Sequence, residues 1–231
     1  MKRILLKLSG EALSGDLGFG FSQESVINIA NQVKEVVDMG NQVAIVCGGG
    51  NFWRGRTSDT IDRVKADSIG MMATVMNCTY VSEIFRYVGL ETSIYTPFVC
   101  ANFTKYYNKD DAMKDLESGK VVFFAGGTSH PYFSTDTATV LRAIEVECDE
   151  ILLAKSIDGI YDSDPKKNPE AKKYDTITLD EVVDKRLQAM DLSASIMALE
   201  NKMPFFVFDL KEENSILRAL KGEIKGTHVI K

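Results

Sequence analysis

Lys7 lies between Leu6 and Leu8 at the end of an apolar run, two residues before Ser9-Gly10. An ammonium delivered at a strand end can meet phosphoryl oxygens as a point charge, although the same lysine would sit equally well in solvent at a sheet edge. Glycines fall just beyond apolar runs three times: Gly10 after Leu8, Gly48-Gly49-Gly50 after Cys47, and Gly126-Gly127 after Phe124. Any one of these would serve a tight strand-to-helix turn. A triple glycine exceeds that need, and in an open α/β sheet such loops can cradle phosphate with backbone N–H groups. The two familiar phosphate signatures are absent. Gly10 and Gly15 have P-loop spacing, but Asp16-Leu17 stands where Lys-Ser/Thr is required, and no Gly-x-Gly-x-x-Gly follows a strand.

Arg54, four residues after Gly50, offers a second cation, a surface arginine being the commoner fate. Asp136 follows Ser134-Thr135 at a helix start; it either complements the helix dipole, or orients a catalytic lysine or helps to place a metal. Asp191 carries the same ambiguity. Asp67 sits in a helix otherwise rich in Met, Ile, Val and Ala, where it either accepts bonds from ribose hydroxyls or occupies a solvated face. His130 lacks any Ser/His/Asp or metal context and reads as a polar loop residue. The surrounding Thr128–Thr135 segment, with small hydroxyls and two aromatics, suits a base-and-sugar pocket. Met71, Met72 and Met76 read as core or subunit contact.

The elements that must position these groups follow from hydropathy. Apolar runs at Lys2–Leu8, Val43–Cys47, Thr92–Tyr95, Val121–Phe124, Ile151–Ala154 and Phe205–Phe208 alternate with predicted helices. Those helices are Gln23–Met39, Ile61–Tyr87, Asp111–Leu116, Asp136–Glu147, Thr178–Asp184, Asp191–Lys202 and Ser215–Leu220. Ser22 and Ser25 offer start signals, and Gly40 and Gly89 stops. The alternation predicts an α/β fold with a mainly parallel sheet. Lys155–Asp175, rich in Asp, Lys and Pro, is long enough for a functional segment.

The 231 residues suit one domain over 1–231, its two halves joined near Gly119. A formal net charge of −6, from 27 Lys+Arg and 33 Asp+Glu, supplies no general cationic field for nucleic acid or an acidic membrane, so an anionic ligand must be gripped locally. Lys7 interrupts the first apolar run far short of a signal-peptide core, and no stretch approaches a membrane span, so a cytoplasmic protein is expected. Cys47, Cys78, Cys100 and Cys148 are scattered without a Cys-x-x-Cys, and with only His130 and His228 beside them no protein-bound metal is expected.

Lys7-Leu8-Ser9-Gly10, Gly48-Gly49-Gly50-Asn51 with Arg54-Gly55, and Asp67 followed by Gly70 to Asn77 together resemble the bacterial uridylate kinases of the amino-acid-kinase fold. The resemblance continues through Pro131 to Asp136, Asp158-Gly159-Ile160-Tyr161 with Asp164-Pro165, Met190-Asp191-Leu192 and Gly226-Thr227. It implies a homohexameric three-layer αβα enzyme of pyrimidine nucleotide biosynthesis that makes UDP and ADP from UMP and ATP. Mg²⁺ would be carried with ATP, and GTP and UTP would act as effectors. The first half would bind the acceptor and the second half ATP. By position, Lys7, Leu8, Ser9, Gly10, Gly50, Arg54, Lys155, Tyr161 and Asp164 would lie on ATP. Gly49, Asp67, Thr128, Ser129, His130, Pro131, Tyr132, Phe133, Ser134 and Thr135 would lie on UMP. Lys7, Arg54, Asp136 and Asp191 would be catalytic, and Gly15, Asp16, Leu17, Gly18, Phe19 and Gly20 match the segment associated with GTP. The chain departs from the usual pattern at Ser129-His130, where Gly-Asn normally precedes the proline, and the position taken by Lys155 varies. Two rivals remain: a kinase of a carboxylate such as acetylglutamate, and a catalytically silent nucleotide- or oxyanion-binding protein of the same fold.

Overall fold

Strands covered on both faces need apolar residues at every position, and the central runs of this chain meet that demand. The structure, a computed structural model, describes residues 1–53 and 60–231. Its strands are β1 (Arg3–Leu8), β2 (Gln42–Cys47), β3 (Thr92–Thr96), β4 (Lys105–Tyr106), β5 (Val121–Phe124), β6 (Glu150–Lys155), β7 (Ile160–Tyr161), β8 (Lys173–Tyr174), β9 (Thr176–Thr178), β10 (Phe205–Asp209) and β11 (Gly226–Ile230). Its helices are α1 (Gly10–Ser14), α2 (Gln23–Asp38), α3 (Arg63–Tyr87), α4 (Lys109–Glu117), α5 (Thr135–Glu145), α6 (Leu179–Asp184), α7 (Leu192–Glu200) and α8 (Ser215–Lys221). Nine strands form one sheet in the order β4-β3-β5-β2-β1-β6-β10-β11-β9, parallel except where β10 meets β11. The strand pair β7–β8 stands apart as a small antiparallel ribbon.

Period-two alternation divides the core. Ile4, Leu6 and Leu8 face one layer with Val43, Ile45, Leu152, Ala154, Phe206 and Phe208, against α2, α3 and α8. Leu5, Ala44, Val46, Ile151, Leu153, Phe205 and Val207 face the other, against α4, α5, α6 and α7. The result is the expected three-layer αβα sandwich. Chain order places β1 between β2 and β6, so the path leaves β1 toward one sheet edge and returns on its other side. That reversal opens a crevice at the carboxyl end of β1.

Ser22 caps α2, and Asp62, not Ile61, begins the cap of α3 by accepting from Val64 and Lys65. Gly40 and Gly89 take φ of +84° and +92° beyond the helix ends. Elements absent from the sequence-based expectation are short: α1, the two-residue strands β4, β7 and β8, and the far-edge strands β9 and β11. The stretch 155–175 thus carries a ribbon instead of remaining loop. Among the described residues no helix is long and apolar enough to cross a membrane.

The edge strand β4 is fastened electrostatically. Asp115 of α4 receives Lys105 Nζ at 2.6 Å, Lys120 Nζ at 2.8 Å and the Tyr95 hydroxyl at 2.7 Å. Burial alone would raise the Asp115 carboxyl, but bonds from Lys105, Lys120, Tyr95 and Ser93 outweigh it and hold the group well below the usual carboxylate range. Because the folded value is the depressed one, its stabilisation is complete above the ordinary aspartate pKa and is lost as pH falls. Asp115→Asn should therefore flatten the acid side of the stability curve below about pH 4, as followed by urea unfolding. An acid limb identical to that of the unaltered chain would show that Asp115 does not set it.

Candidate functional site

Alternation along β1 puts Lys7 on the same face as Leu5, which is the α5 side of the sheet, and along β6 it puts Lys155 on that side with Ile151 and Leu153. Both lysines therefore emerge at the carboxyl ends of adjacent strands toward the first turn of α5. Ser134 caps that helix through bonds from Asp136 N at 3.0 Å and Thr137 N at 3.4 Å, which presents Asp136 to the strand ends. Lys7 Nζ lies 3.0 Å from Asp136 Oδ1, with the two side chains 12% and 19% exposed. The contact is a charge contact rather than an aligned hydrogen bond. Burial pushes the Asp136 carboxyl up, but the charges of Lys7 and Lys155 prevail and keep it below the ordinary value. Burial, aided by the neighbouring charge of Lys7, lowers Lys155 despite Asp136. Lys155 Nζ also donates to the Ala189 carbonyl. Two cations thus share one carboxylate.

Asp191 has a different task. It caps α7 by accepting from Ala194 N at 3.0 Å, and it also accepts from the hydroxyls of Ser134 and Thr137. It therefore ties the start of α7 to the start of α5 and holds Asp136 in place from behind.

The glycine turns pack on one another. A Cβ at Gly10 would lie 2.5 Å from Asn51 N and 2.6 Å from Gly50 N, and one at Gly49 would lie 3.0 Å from the Gly70 carbonyl. Gly50 differs: among the described residues nothing lies within 4 Å of where its Cβ would be, and its φ is outside the left-handed region. Neither the packing of the described residues nor backbone conformation calls for glycine there, so the space beside it suits a ligand approaching the backbone. Asn51 and Asn77 form a reciprocal buried amide pair at 2.7 and 3.1 Å, and Asn77 Nδ2 donates to the Gly48 carbonyl at 2.6 Å. The turn is thereby fixed to α3.

Beside this turn opens a cleft of about 440 Å³, lined by Gly49, Trp53, Arg63, Asp67, Thr74, Gly127, Thr128, Phe133, Ser134, Thr135, Asp136, Gln188, Met190 and Asp191, among others. Its α5-side wall is the loop from Gly126 to Ser134. Gly126, Gly127, Ser129 and Tyr132 all have positive φ, +80°, +60°, +69° and +72°. Each of the two non-glycine residues costs about 1–2 kcal/mol in that region, so the loop persists only because neighbours hold it. Gly126 N donates to Thr74 Oγ1 at 2.8 Å and Tyr132 N to Asp67 Oδ2 at 2.8 Å. Arg63 Nε reaches the same Asp67 oxygen at 2.8 Å.

The structure brings together Lys7, Gly10, Gly49, Gly50, Asp67, Thr128, Phe133, Ser134, Thr135, Asp136, Lys155 and Asp191 around the strand ends or the cleft. Ser9 caps α1, accepting from Ala12 N, and Leu8 is core. Ser129, His130, Pro131 and Tyr132 belong to the cleft's loop without lining it. Tyr161 donates to Asp158 at 2.7 Å and Asp164 accepts from Lys166 N at 3.0 Å, both in the β7–β8 ribbon region and outside the cleft lining. Gly15, Asp16 and Leu17 form a 3₁₀ turn leading to Gly18, Phe19 and Gly20. Arg54 lies outside the described residues. Arg63, Thr74 and Gln188 were not anticipated as site residues; the four-residue step from Arg63 to Asp67 is the one signal that could have revealed the first. No three His, Cys, Asp or Glu among the described residues are grouped to hold a metal ion.

A parallel sheet whose strand ends present glycine turns, two lysines and a shared carboxylate to an open cleft defines an α/β ligand-binding protein equipped for an anionic, phosphate-bearing molecule. The chain belongs to the amino acid kinase family, whose model matches residues 2–209. It is similar to the structure of UMP kinase from Bacillus anthracis, with TM-score 0.94, 36% identity, and coverage of 99% of this chain and 96% of that one. UMP kinase from Ureaplasma parvum is similar with TM-score 0.94 and 33% identity, covering 100% of this chain and 99% of the other. Uridylate kinase from Archaeoglobus fulgidus is similar with TM-score 0.77 and 26% identity, covering 99% of this chain and 100% of the other.

The contrast between two glycines is directly testable. Gly50→Ala should leave Tm within about 2 °C, since no atom of the described residues opposes the methyl. Gly10→Ala should lower stability by roughly 1–3 kcal/mol, because the Asn51 backbone must move. Equal melting of the two variants would contradict the packing described.

Proposed function

We propose that the protein is a UMP kinase that transfers the γ-phosphoryl group of ATP to UMP, giving ADP and UDP, and so serves pyrimidine nucleotide biosynthesis. The observation that carries the acceptor assignment is the likeness along the whole chain to UMP kinases. The site agrees with it chemically. A nucleotide α-phosphate oxygen is already anionic, so in-line attack on the γ-phosphorus calls for positioning and charge neutralisation and needs no strong protein base. Lys7, held by Asp136, and Lys155 supply cations at the strand ends, and the amides around Gly10 and Gly50 add fixed dipoles. Asp67 and the Thr128–Thr135 loop take the acceptor, whereas Lys7 to Gly10, Gly50, Lys155, Tyr161 and Asp164 take ATP. Both halves of the domain thus contribute to each substrate: the first half supplies Asp67 to UMP and Lys7 to Gly10 and Gly50 to ATP, the second half the Thr128–Thr135 loop to UMP and Lys155, Tyr161 and Asp164 to ATP.

Magnesium carried with the triphosphate would be met by Asp136, the carboxylate at the strand ends, and would supply charge neutralisation to the phosphoryl oxygens. Regulation by GTP and UTP is part of the same reading. In its support, Gly20 and Asn51 are joined twice, Gly20 N to Asn51 O at 3.2 Å and Asn51 Nδ2 to Gly20 O at 2.9 Å, so the Gly15–Gly20 segment is coupled to the glycine turn.

A homohexamer is the corresponding assembly. Ile69, Met72 and Met76 are 40%, 50% and 45% exposed at helical spacing on α3, an apolar face that a second copy would cover. Light scattering should therefore show an oligomer at micromolar concentration. A monomer throughout would defeat this assignment.

A coupled assay with ATP against UMP, CMP and acetylglutamate tests the reaction. UMP should be the preferred acceptor, and Lys7→Ala should lower turnover by on the order of 10²–10³, the scale for one preorganised charge donor. Turnover of acetylglutamate alone, or of no acceptor, would overturn the proposal in favour of a carboxylate kinase or a silent binding protein.

A further inference from the structure

Arg63 occupies a place that helix electrostatics disfavour. It is the first residue of α3, where the macrodipole repels a cation, and that first turn contains no acidic residue. Its partner Asp67 follows it at i+4, the less favourable order for an ion pair on a helix. Helix stability therefore gives only a weak reason for an arginine there, through its i,i+4 pair with Asp67 and the acidic cap Asp62 before it. The stronger reason lies across the cleft. The Arg63 guanidinium carbon sits 5.3 Å from the centroid of the Tyr132 ring while Nε bonds Asp67 Oδ2 at 2.8 Å. That oxygen also receives the Tyr132 amide at 2.8 Å. One guanidinium thus touches both members of the link between α3 and the strained loop. Asp67 is 14% exposed at its side chain, so its geometry is set by these contacts more than by solvent.

Arg63, Asp67 and Thr74 fall on one face of α3, at steps of four and seven, and Asp67 and Thr74 hold the loop at Tyr132 and Gly126 respectively. Thr74 pins the glycine end, which accepts positive φ freely. Tyr132 adopts φ +72° despite its side chain and is 66% exposed; the Asp67 bond and the Arg63 contact hold it directly, while Asp191 holds the loop's last residue, Ser134.

We propose that Arg63 is a positioning residue of the acceptor site: by clamping Asp67 and Tyr132 together it presets the loop for capture of the pyrimidine nucleotide, without touching the transferring phosphoryl group. This rests on the UMP kinase reading.

Steady-state kinetics of the full chain and its variants test it. Arg63→Ala should raise KM for UMP about tenfold, with kcat and KM for ATP within about twofold. Arg63→Lys, which keeps charge but loses the planar fork, should recover only part of the loss. Tyr132→Ala should also raise KM for UMP, and adding Arg63→Ala to it should cost little more, because the two share one contact. Should Arg63→Ala fail to fold by circular dichroism, Arg63→Lys and Tyr132→Ala carry the comparison. An unchanged KM for UMP, a matching rise in KM for ATP, or fully additive effects would overturn the clamp. A chain that binds and turns over no UMP would instead overturn the function on which the clamp depends.

Discussion

A lysine inside a buried parallel sheet must find an opposite charge, and the Lys7–Asp136 pair is the constraint around which this site is arranged. Lys7 cannot turn to the other face without moving Leu6 and Leu8 out of the core. Its partner must therefore come from the α5 layer and from the carboxyl end of β1. The first turn of α5 is the element that reaches there, and Ser134 and Asp191 together fix where that turn begins. Lys155, arriving from β6 on the same face, makes the pair a triad with excess positive charge. A chain with a net charge of −6 thereby keeps a local cationic point where an anion can be gripped.

The rest of the crevice is rigid for a related reason. Gly10, Gly49 and the Asn51–Asn77 pair leave no room for the turn after β2 to shift, since both carboxamides are satisfied by one another and by backbone carbonyls. Against that fixed floor stands a wall of the opposite character, the Gly126–Ser134 loop, with four positive φ angles and exposed Tyr132 and Phe133. At Ser129 and Tyr132 its shape runs against side-chain preference, and it is held by Thr74 and Asp67 of α3 at one side and by Asp191 at Ser134.

These differences explain what could be read in advance. The central strands were legible because burial on both faces leaves an unbroken apolar run, as in Ile4–Leu6 and Val121–Phe124. The closing strand β11 was not, because it alternates buried Thr227 and Val229 with exposed His228 and Ile230 and carries a polar residue in its core position. Thr227 is buried to hold the ribbon: it accepts from Ile160 N and donates to the Tyr174 carbonyl. No single-segment pattern reveals a hydroxyl employed across so long a separation. Asp136 and Asp191 looked alike in sequence, each an acid at a helix start. The structure separates them by two positions: Asp191 is the cap residue and spends its oxygens on Ala194, Ser134 and Thr137, whereas Asp136 lies two residues beyond its cap, Ser134, and turns its carboxylate to Lys7 and Lys155.

That two-residue offset shows how position within a helix start sorts residues of the same type into different work. A cap aspartate must turn back toward its own backbone amides, so Asp191 has only its remaining acceptor capacity to offer the hydroxyls of Ser134 and Thr137 on α5. An aspartate in the first turn gains from the dipole without being consumed by it, so its carboxylate remains available to a neighbouring cation. Asp191 therefore serves Asp136 in two ways, through its own backbone N–H bonded to the Asp136 carboxylate and through the Ser134 hydroxyl that it holds and that in turn caps α5. The chain of dependence runs from Asp191 to Ser134 to the first turn of α5, then to Asp136 and Lys7. A disturbance at the start of α7 would reach the lysine at the end of β1 by that route, although the two lie 184 residues apart in the chain.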